Sequence, residues 1–201
     1  RNVERVRRHI GPKHGIIPVV KGNAYGLGTV EVARLLAERC GVQLIANAHV
    51  LESMQIRQAG VDADLMILGA LPPHAIPYGP RYDLQLTVFN RQTVELLSQA
   101  CRQQGKVGKV HVKIETGLGR IGVEPGPPLE ELLDAIEGAG NLEIVGVFTH
   151  FATAAQWGSP YARQQLALFQ QAMEQVYRRG IRPQYVHTAN TGATVWLPES
   201  Y

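Results

Sequence analysis

Four polar segments of the chain each follow an apolar run of strand length, and each carries a residue type that could do chemistry. In the first, Lys21 follows the run Ile16–Val20 and precedes Gly22, Gly26 and Gly28. A lysine held between apolar walls is poorly solvated as a cation, so its pKa falls and a neutral amine becomes available to attack an aldehyde. A strand-end lysine that reaches solvent is the commoner arrangement when such a residue is taken alone.

The second segment, Lys113–Gly122, contains the spacing Gly-x-Gly-x-x-Gly directly after an apolar run. This spacing is typical of dinucleotide-binding sites, but there a helix begins inside the glycine segment. Here Pro125, Pro127 and Pro128 follow at once, which disfavours a nucleotide-binding interpretation. We interpret the segment as a turn that directs Arg120 toward a site, where a guanidinium can bind a carboxylate or phenolate oxygen. When the segment is taken alone, an arginine that merely lies on a surface loop is about as common as one that is directed into a binding site.

The last two segments place histidines and small polar residues just past two further runs. His150 follows Ile144–Phe148, and Asn190 and Thr191 follow His187. A buried structural histidine and an ordinary helix N-cap are the common explanations for such residues taken singly. Small polar residues that open a helix after a late strand also match the phosphate sites of barrel enzymes.

Seven apolar runs, mostly β-branched, alternate with helical patterns. They are Ile16–Val20, Val42–Ala46, Leu65–Leu68, Leu84–Val88, Val110–Ile114, Ile144–Phe148 and Tyr185–His187. Repeated strand–helix units without a hairpin signal predict an α/β fold with a parallel sheet. A closed (β/α)8 barrel typically has about 250 residues, and the spacing of the runs places an eighth strand just past Tyr201. We therefore expect residues 1–201 to form one domain, a TIM-type (β/α)8 barrel that lacks its eighth strand. An open doubly wound sheet is the alternative.

Helix signals between the runs predict boundaries and buried faces. Thr29 is a predicted N-cap, and so is Ser159, which Pro160 follows. Gly105 and Gly180 are predicted to end the helices before them. Apolar residues at helical spacing mark three buried faces, namely Val94, Leu97 and Cys101, then Leu129, Leu132, Leu133 and Ile136, and finally Leu166, Phe169, Met173 and Val176.

Composition excludes several classes of protein. The chain has 20 lysines and arginines against 17 acids, and a net charge of +3 is too small to indicate nucleic-acid binding. Its histidines, Cys40 and Cys101 show no metal-ligand or disulfide spacing, so we expect no metal and a reducing compartment. No apolar run approaches the roughly 20 residues of a membrane span, so we expect no membrane segment.

The four segments together resemble the motifs of alanine racemases, the fold-type III enzymes that depend on pyridoxal 5'-phosphate. VVKGNAYGLG is similar to the family's VVKANAYGHG, and KIETGLGRIG is similar to K-x-D-T-G-M-G-R-L-G. GVFTHFATA and VHTANTGAT match its T-H-F-A and H-x-A-N-S segments. The four motifs occur in the family's order and span essentially the whole chain.

The resemblance implies a catalytic role for two residues. Lys21 would bind the cofactor aldehyde and serve as one of two catalytic bases. Arg120 would reach the cofactor's phenolate oxygen and the region of the substrate carboxylate. Lys113 matches a lysine that is often N-carboxylated in the family, which creates an anion that orients the arginine.

The resemblance also implies a set of cofactor-binding residues. Tyr25 and the Asn190–Thr191 segment would hold the cofactor phosphate. His150 matches a histidine beneath the pyridine ring that hydrogen-bonds the arginine at the pyridine nitrogen, and His187 would line the same pocket.

Some positions depart from the family's pattern, including Gly22 for alanine, Glu115 for aspartate and Leu118 for methionine. The sequence also ends before the Arg-Pro-Gly segment, whose arginine contacts the pyridine nitrogen, and before the C-terminal β-domain with the second-base tyrosine. We therefore expect a fragment of a longer cytoplasmic homodimer that interconverts L- and D-alanine for the cell wall, and we expect the fragment alone to be inactive. The alternatives are a non-catalytic module that binds pyridoxal phosphate and a racemase of broader specificity that accepts serine.

Overall fold

A curled sheet of six parallel strands organises the computed structural model, which describes residues 1–201. The strands are β1 (Leu44–Asn47), β2 (Asp64–Ile67), β3 (Leu84–Val88), β4 (Gly108–Lys113), β5 (Leu142–Phe148) and β6 (Tyr185–His187). Each strand pairs with the next one along the chain, in the order β1-β2-β3-β4-β5-β6. A doubly wound sheet reverses its strand order at a switch point, so that alternative is wrong. The incomplete TIM-type barrel is confirmed.

The predicted first strand is reduced to a single bridge. In the run Ile16–Val20, Val19 pairs with Ala46 of β1, and the backbone N–H of Val20 donates to the Ala46 carbonyl at 2.9 Å. Pro18 accepts a hydrogen bond from Ala46 but has no N–H to donate, and the chain leaves the sheet directly after Val20. The expectation of seven full strand–helix units is therefore wrong by one, although the run lies where a first strand belongs.

Helices follow the strands on the outside of the sheet. They are α1 (Asn2–Ile10), α2 (Lys21–Gly26), α3 (Thr29–Arg34), α4 (Val50–Gln58), α5 (Tyr78–Arg81), α6 (Arg91–Gln104), α7 (Pro127–Ala139), α8 (Pro160–Arg178) and α9 (Thr191–Trp196). None of them is both long and apolar enough to span a bilayer.

Most predicted helix boundaries are confirmed, and one is wrong. The Ser159 hydroxyl accepts a hydrogen bond from the Ala162 N–H at the start of α8, and Gly105 ends α6 in the left-handed conformation. Thr29, however, is the first residue of α3 and not its cap. Its N–H donates to Oδ1 of Asn23 at 3.0 Å, so a side chain from outside the helix satisfies this donor.

The two faces of the sheet differ in polarity. The outer face packs on the helices in the main apolar core, which contains all the residues of the three predicted helix faces except Leu166. Leu166 is also buried, in a smaller cluster beside α9. The inner face has a small apolar group from Leu44, Ala46, Met66 and Phe148. It also carries buried polar side chains on β3 and β4, namely Gln85, Thr87, His111 and Lys113.

His111 is the centre of the polar inner face. Its Nε2 lies 2.7 Å from Oε1 of Gln85, its Nδ1 lies 3.3 Å from Nε2 of His187, and its ring stacks on Tyr185. Burial lowers the pKa of His111 to about 3, so the ring is neutral near pH 7. A Cβ atom at Gly146 of β5 would lie 2.0 Å from Nδ1 of His111. Gly146 therefore makes room for the imidazole.

We predict that Gly146→Ala lowers the free energy of unfolding by about 1–3 kcal/mol, because the added methyl group overpacks a site filled by the His111 ring. Gly138→Ala is the matched control, because Gly138 lies in α7 and its Cβ would meet nothing within 4 Å. The control is expected to raise stability by about 0.5–1 kcal/mol. Denaturant unfolding measures both values, and equal stability of the two variants would contradict the assignment.

Candidate active site

The segment that carries Lys21 adopts an unusual backbone. In α2 the residues Gly22, Asn23, Ala24 and Tyr25 all have positive φ, between 51° and 64°, so Lys21 opens one turn of left-handed helix. Such a conformation costs roughly 1–2 kcal/mol for each residue that has a Cβ atom. Three of the four residues have one, so neighbouring groups must hold the turn in place.

A glutamate from α4 supplies one of these contacts. Oε1 of Glu52 accepts a hydrogen bond from the Asn23 N–H at 2.7 Å. Oδ1 of the Asn23 side chain accepts a hydrogen bond from the Thr29 N–H. The backbone carbonyl of Asn23 accepts a second one from the Gly28 N–H at 3.0 Å. The left-handed turn is thus fixed on one side to α4 and on the other to α3.

The expectation that apolar walls enclose Lys21 is wrong for this chain. Lys21 is exposed, and Tyr25 retains 70% of its accessible surface. The turn follows directly after the Val19 bridge at the edge of the sheet, and most of its residues are exposed. Lys21 is nevertheless within electrostatic range of the other site residues, since its charge is the smallest of the causes that lower the pKa of His150.

The loop that carries Arg120 is built around a carboxylate. Oε1 of Glu115 accepts hydrogen bonds from the N–H groups of Gly117 and Leu118, and Oε2 accepts from Gly119 and Arg120, at 2.5 to 3.3 Å. Burial acts to raise the pKa of Glu115, but the four donors outweigh it, and the net shift is downward. The N–H groups that a nucleotide phosphate would need are therefore occupied. No helix begins inside the glycine segment, so the dinucleotide-binding alternative is wrong.

Lys113 is a buried cation without an acidic partner. Its side chain is almost completely buried, and Nζ lies 4.5 Å from the centroid of the Phe148 ring. Its pKa is lowered to about 8, first by burial and then by the charge of Arg120, while the charge of Glu115 acts in the opposite direction. No carboxylate lies within ion-pairing distance of Lys113, Arg120 or Lys21.

The three cations all affect the pKa of His150. Its pKa is lowered to about 4, first by burial and then by the charges of Lys113, Arg120 and Lys21. The imidazole is therefore neutral near pH 7. Lys21, Arg120 and Lys113, which the family resemblance assigned to one site, thus all lie within electrostatic range of His150.

The residues after β6 have more ordinary surroundings. Oδ1 of Asn190 caps α9 by accepting from the Ala193 N–H at 3.0 Å, and Nδ2 donates to the Phe151 carbonyl at 3.2 Å. The Asn190 side chain is thus already engaged, whereas Thr191 is exposed. The His187 ring stacks on Phe148 at 4.7 Å between ring centroids, and burial lowers its pKa well below the usual value.

The sequence analysis missed two residues of α8 that support the site. The Tyr161 hydroxyl donates to the Gly117 carbonyl at 2.7 Å. One turn later, buried Gln165 donates to the Thr116 hydroxyl and the His150 carbonyl, and its Oε1 accepts from the Ala152 N–H. A glutamine inside the buried stripe of a helix is a signal that could have identified it, because a buried amide requires partners.

The fold and the site together define a barrel-type domain with an exposed lysine turn and unpaired cations at the carboxyl ends of its strands. The family model for the alanine racemase N-terminal domain matches residues 1–201. The chain belongs to this family.

Relatives and solved structures agree with the family model. An alanine racemase of Desulforamulus reducens is 33% identical over 200 residues, which are 100% of this chain and 54% of that protein. The structure of an alanine racemase of Clostridium difficile 630 in complex with cycloserine is 28% identical, with a TM-score of 0.94 over 99% of this chain and 54% of that one. A histidine racemase of Leuconostoc mesenteroides is 26% identical, with a TM-score of 0.86 over 100% of this chain and 52% of that one. The chain thus spans about half the length of the relatives it matches.

We predict that Lys113→Met stabilises the protein near neutral pH in bicarbonate-free buffer. The folded-state pKa of about 8 lies below the usual 10.5, so below pH 8 the folded state carries a buried charge that the unfolded chain solvates. Removing that charge is expected to raise the free energy of unfolding by up to about 3 kcal/mol at pH 7.

The pH dependence provides the check. As the pH rises from 8 toward 10.5, Lys113 is neutral in the folded state but still protonated in the unfolded chain, so the wild type gains stability and the difference shrinks. Lys109→Met, on the same strand but half-exposed, is expected to show little change over this range. A Lys113→Met variant that is less stable than the wild type at pH 7 would refute the assignment.

Proposed function

We propose that this chain is the cofactor-binding barrel domain of an amino-acid racemase that uses pyridoxal 5'-phosphate, with alanine as the substrate. The observation that carries the proposal is that Lys21, Lys113, Arg120 and His150 lie at or just past the carboxyl ends of parallel strands, and that no carboxylate is paired with the three cations. Like charges that converge repel one another, so this arrangement favours an anionic ligand. Membership of the alanine racemase family supports the same proposal.

The residues present fit this cofactor. The cofactor carries a phosphate monoester and a phenolate oxygen, and the excess of positive charge in this part of the protein favours an anionic ligand of this kind. The exposed hydroxyl groups of Tyr25 and Thr191 are available to donate hydrogen bonds to it. Asn190 would contribute through its cap of α9 and not through its amide, because the amide is engaged. His187 and neutral His150 would lie beside the ring as uncharged groups.

Pyridoxal phosphate, when bound, withdraws electrons from the α-carbon of an amino acid and so makes its proton acidic. The side chains of this protein then have three tasks. Nζ of Lys21 would hold the cofactor aldehyde and, as a free amine, would take or return the α-proton on one face. The Arg120 guanidinium would orient the substrate carboxylate and the phenolate oxygen of the cofactor. His150 would remain neutral and accept a hydrogen bond.

Lys113 would act on Arg120 after modification. A lysine with a pKa of about 8 has a substantial neutral fraction near pH 8, and a neutral amine adds carbon dioxide to give a carbamate and one proton. The product anion would replace the repulsion between Lys113 and Arg120 with an ion pair. This change supports N-carboxylation as the way in which the protein removes the cost of the buried cation.

Racemisation also needs a base on the opposite face of the α-carbon. None of the residues described here is placed for that role, so we propose that the active form is a longer homodimeric protein that contains this domain. A cytoplasmic role in supplying D-alanine follows from the same proposal. The likeness to a histidine racemase is the observation that favours a broader substrate range as the second candidate. A non-catalytic module that binds pyridoxal phosphate would share Lys21 but would not convert L-alanine.

We predict that the protein binds pyridoxal phosphate with an absorbance band above 400 nm (~420 nm), typical of the cofactor bound to a lysine. Lys21→Ala is expected to abolish this band, whereas Lys106→Ala, which removes a lysine from the loop before β4, is expected to retain it. Pyridoxal without phosphate is expected to bind at least about tenfold more weakly. A band that survives Lys21→Ala would contradict the proposal.

The appearance of D-alanine from L-alanine in the longer protein tests the activity itself. Parallel assays with L-serine and L-histidine distinguish alanine from broader specificity. Cofactor binding without turnover of any of the three amino acids would favour the non-catalytic module.

A further inference from the structure

The loop from Glu115 to Gly122 is closed at its base by the backbone. Ile114 pairs with Val123 in a single parallel bridge, the Glu115 N–H donates to the Val123 carbonyl, and the Val123 N–H donates to the Lys113 carbonyl. The loop therefore leaves and re-enters the structure at one point beside the end of β4. Its own conformation must be fixed by contacts within it.

The Glu115 carboxylate provides these internal contacts. It accepts hydrogen bonds from four consecutive backbone N–H groups, those of residues 117, 118, 119 and 120. Hydrogen bonds to an ionised acceptor are stronger than those between neutral groups. The last of the four donors is the backbone of Arg120, so the carboxylate fixes the point from which the guanidinium side chain extends.

Two further contacts fix the loop from outside. The Tyr161 hydroxyl binds the Gly117 carbonyl at 2.7 Å. At Gly122 a Cβ atom would lie 2.6 Å from the Glu115 N atom. The last residue of the loop therefore packs directly on the backbone of its first residue. The loop is held by a carboxylate at its centre, a tyrosine on one side and a close backbone contact on the other.

The hydrogen bonds of the Glu115 carboxylate also determine whether it can pair with Arg120. Both carboxylate oxygens face backbone donors, and neither forms an ion pair with Arg120. The Glu115 carboxylate, the acidic group closest in sequence to Arg120, is therefore engaged by backbone N–H groups. The exposed guanidinium of Arg120 remains available to an external anion. A carboxylate free to rotate would neutralise the arginine instead.

We propose that Glu115 is a positioning residue that orders the loop 116–122, does not itself pair with the Arg120 guanidinium, and so leaves that guanidinium directed at the substrate carboxylate. The choice of carboxylate as the ligand of Arg120 rests on the proposed function. The ordering of the loop rests on the hydrogen bonds alone.

Amide hydrogen exchange on the cofactor-free protein tests the ordering. Glu115→Gln keeps the shape of the side chain but replaces one acceptor oxygen with an NH2 group, so protection of the amides of 117–120 is expected to fall at least tenfold. Protection in β4 is expected to stay unchanged. Glu124→Gln, which removes an exposed carboxylate next to the loop, is the matched control and is expected to leave both regions unchanged. Undiminished protection of 117–120 in Glu115→Gln would overturn the proposal.

Kinetics of the longer holoenzyme test whether Glu115 acts through Arg120. Glu115→Gln is expected to raise KM for the amino acid at least tenfold with a smaller change in kcat, and Glu115→Asp, which keeps the charge, is expected to restore most of the affinity. In an Arg120→Lys background the same glutamine substitution is expected to change KM less than twofold. The reason is that Glu115 affects substrate binding only by positioning Arg120, so the two substitutions are not additive. Additive effects of the two substitutions would overturn the proposal.

These outcomes are separable from those of the proposed function. If the wild-type holoenzyme converts no amino acid but Glu115→Gln still loses protection at 117–120, the proposed function fails and the ordering role stands. If Glu115→Gln does not fold, the exchange measurement on Glu115→Asp decides instead. Its shorter carboxylate cannot span all four donors, so partial loss of protection confined to 117–120 supports the proposal, and wild-type protection overturns it.

Discussion

An excess of positive charge at one end of the barrel is the constraint on which the rest of the site depends. Lys21, Lys113 and Arg120 all act on His150, and no carboxylate is paired with any of them. Like charges that are gathered at one end of a sheet repel one another, and burial strengthens this repulsion where water is excluded. The fold maintains this unfavourable arrangement because Lys21 lies on the left-handed turn, Lys113 on β4 and Arg120 on the loop after β4, and each of these parts is held by its own contacts.

Two glutamates hold two of these segments in the same way. Glu52 accepts from the backbone of the left-handed lysine turn, and Glu115 accepts from the backbone of the arginine loop. In each case the acid binds N–H groups and not the cationic side chain that the segment presents. The protein thus uses its nearby carboxylates to order strained backbone, and this use leaves the cations for a ligand. Neutral histidines complete the site, because burial keeps the pKa values of His150 and His187 low.

The outer layer of the fold was predictable from sequence, because helix faces and buried strands follow simple apolar periodicity. The run Ile16–Val20 was overestimated, since apolar composition does not reveal that Pro18 lacks a donor for a strand ladder. The cap of α3 was misassigned because the acceptor for the Thr29 N–H comes from Asn23, and the exposure of Lys21 was missed because an apolar run before a lysine does not show which way the chain turns after it. The role of Glu115 depends on four backbone N–H groups that converge only once the loop has folded. Local residue spacing carries no signal of such convergence.

Two lysines of the site compete as the residue that binds an aldehyde, and they differ in opposite respects. Lys113 has a pKa that burial lowers and is almost completely buried, whereas Lys21 is exposed at the start of the left-handed turn. Reduction with borohydride after addition of pyridoxal phosphate, followed by peptide mass mapping, identifies the lysine that binds the aldehyde. The account predicts a single phosphopyridoxyl label on Lys21. Labelling of Lys113, or of surface lysines in proportion to their exposure, would contradict it.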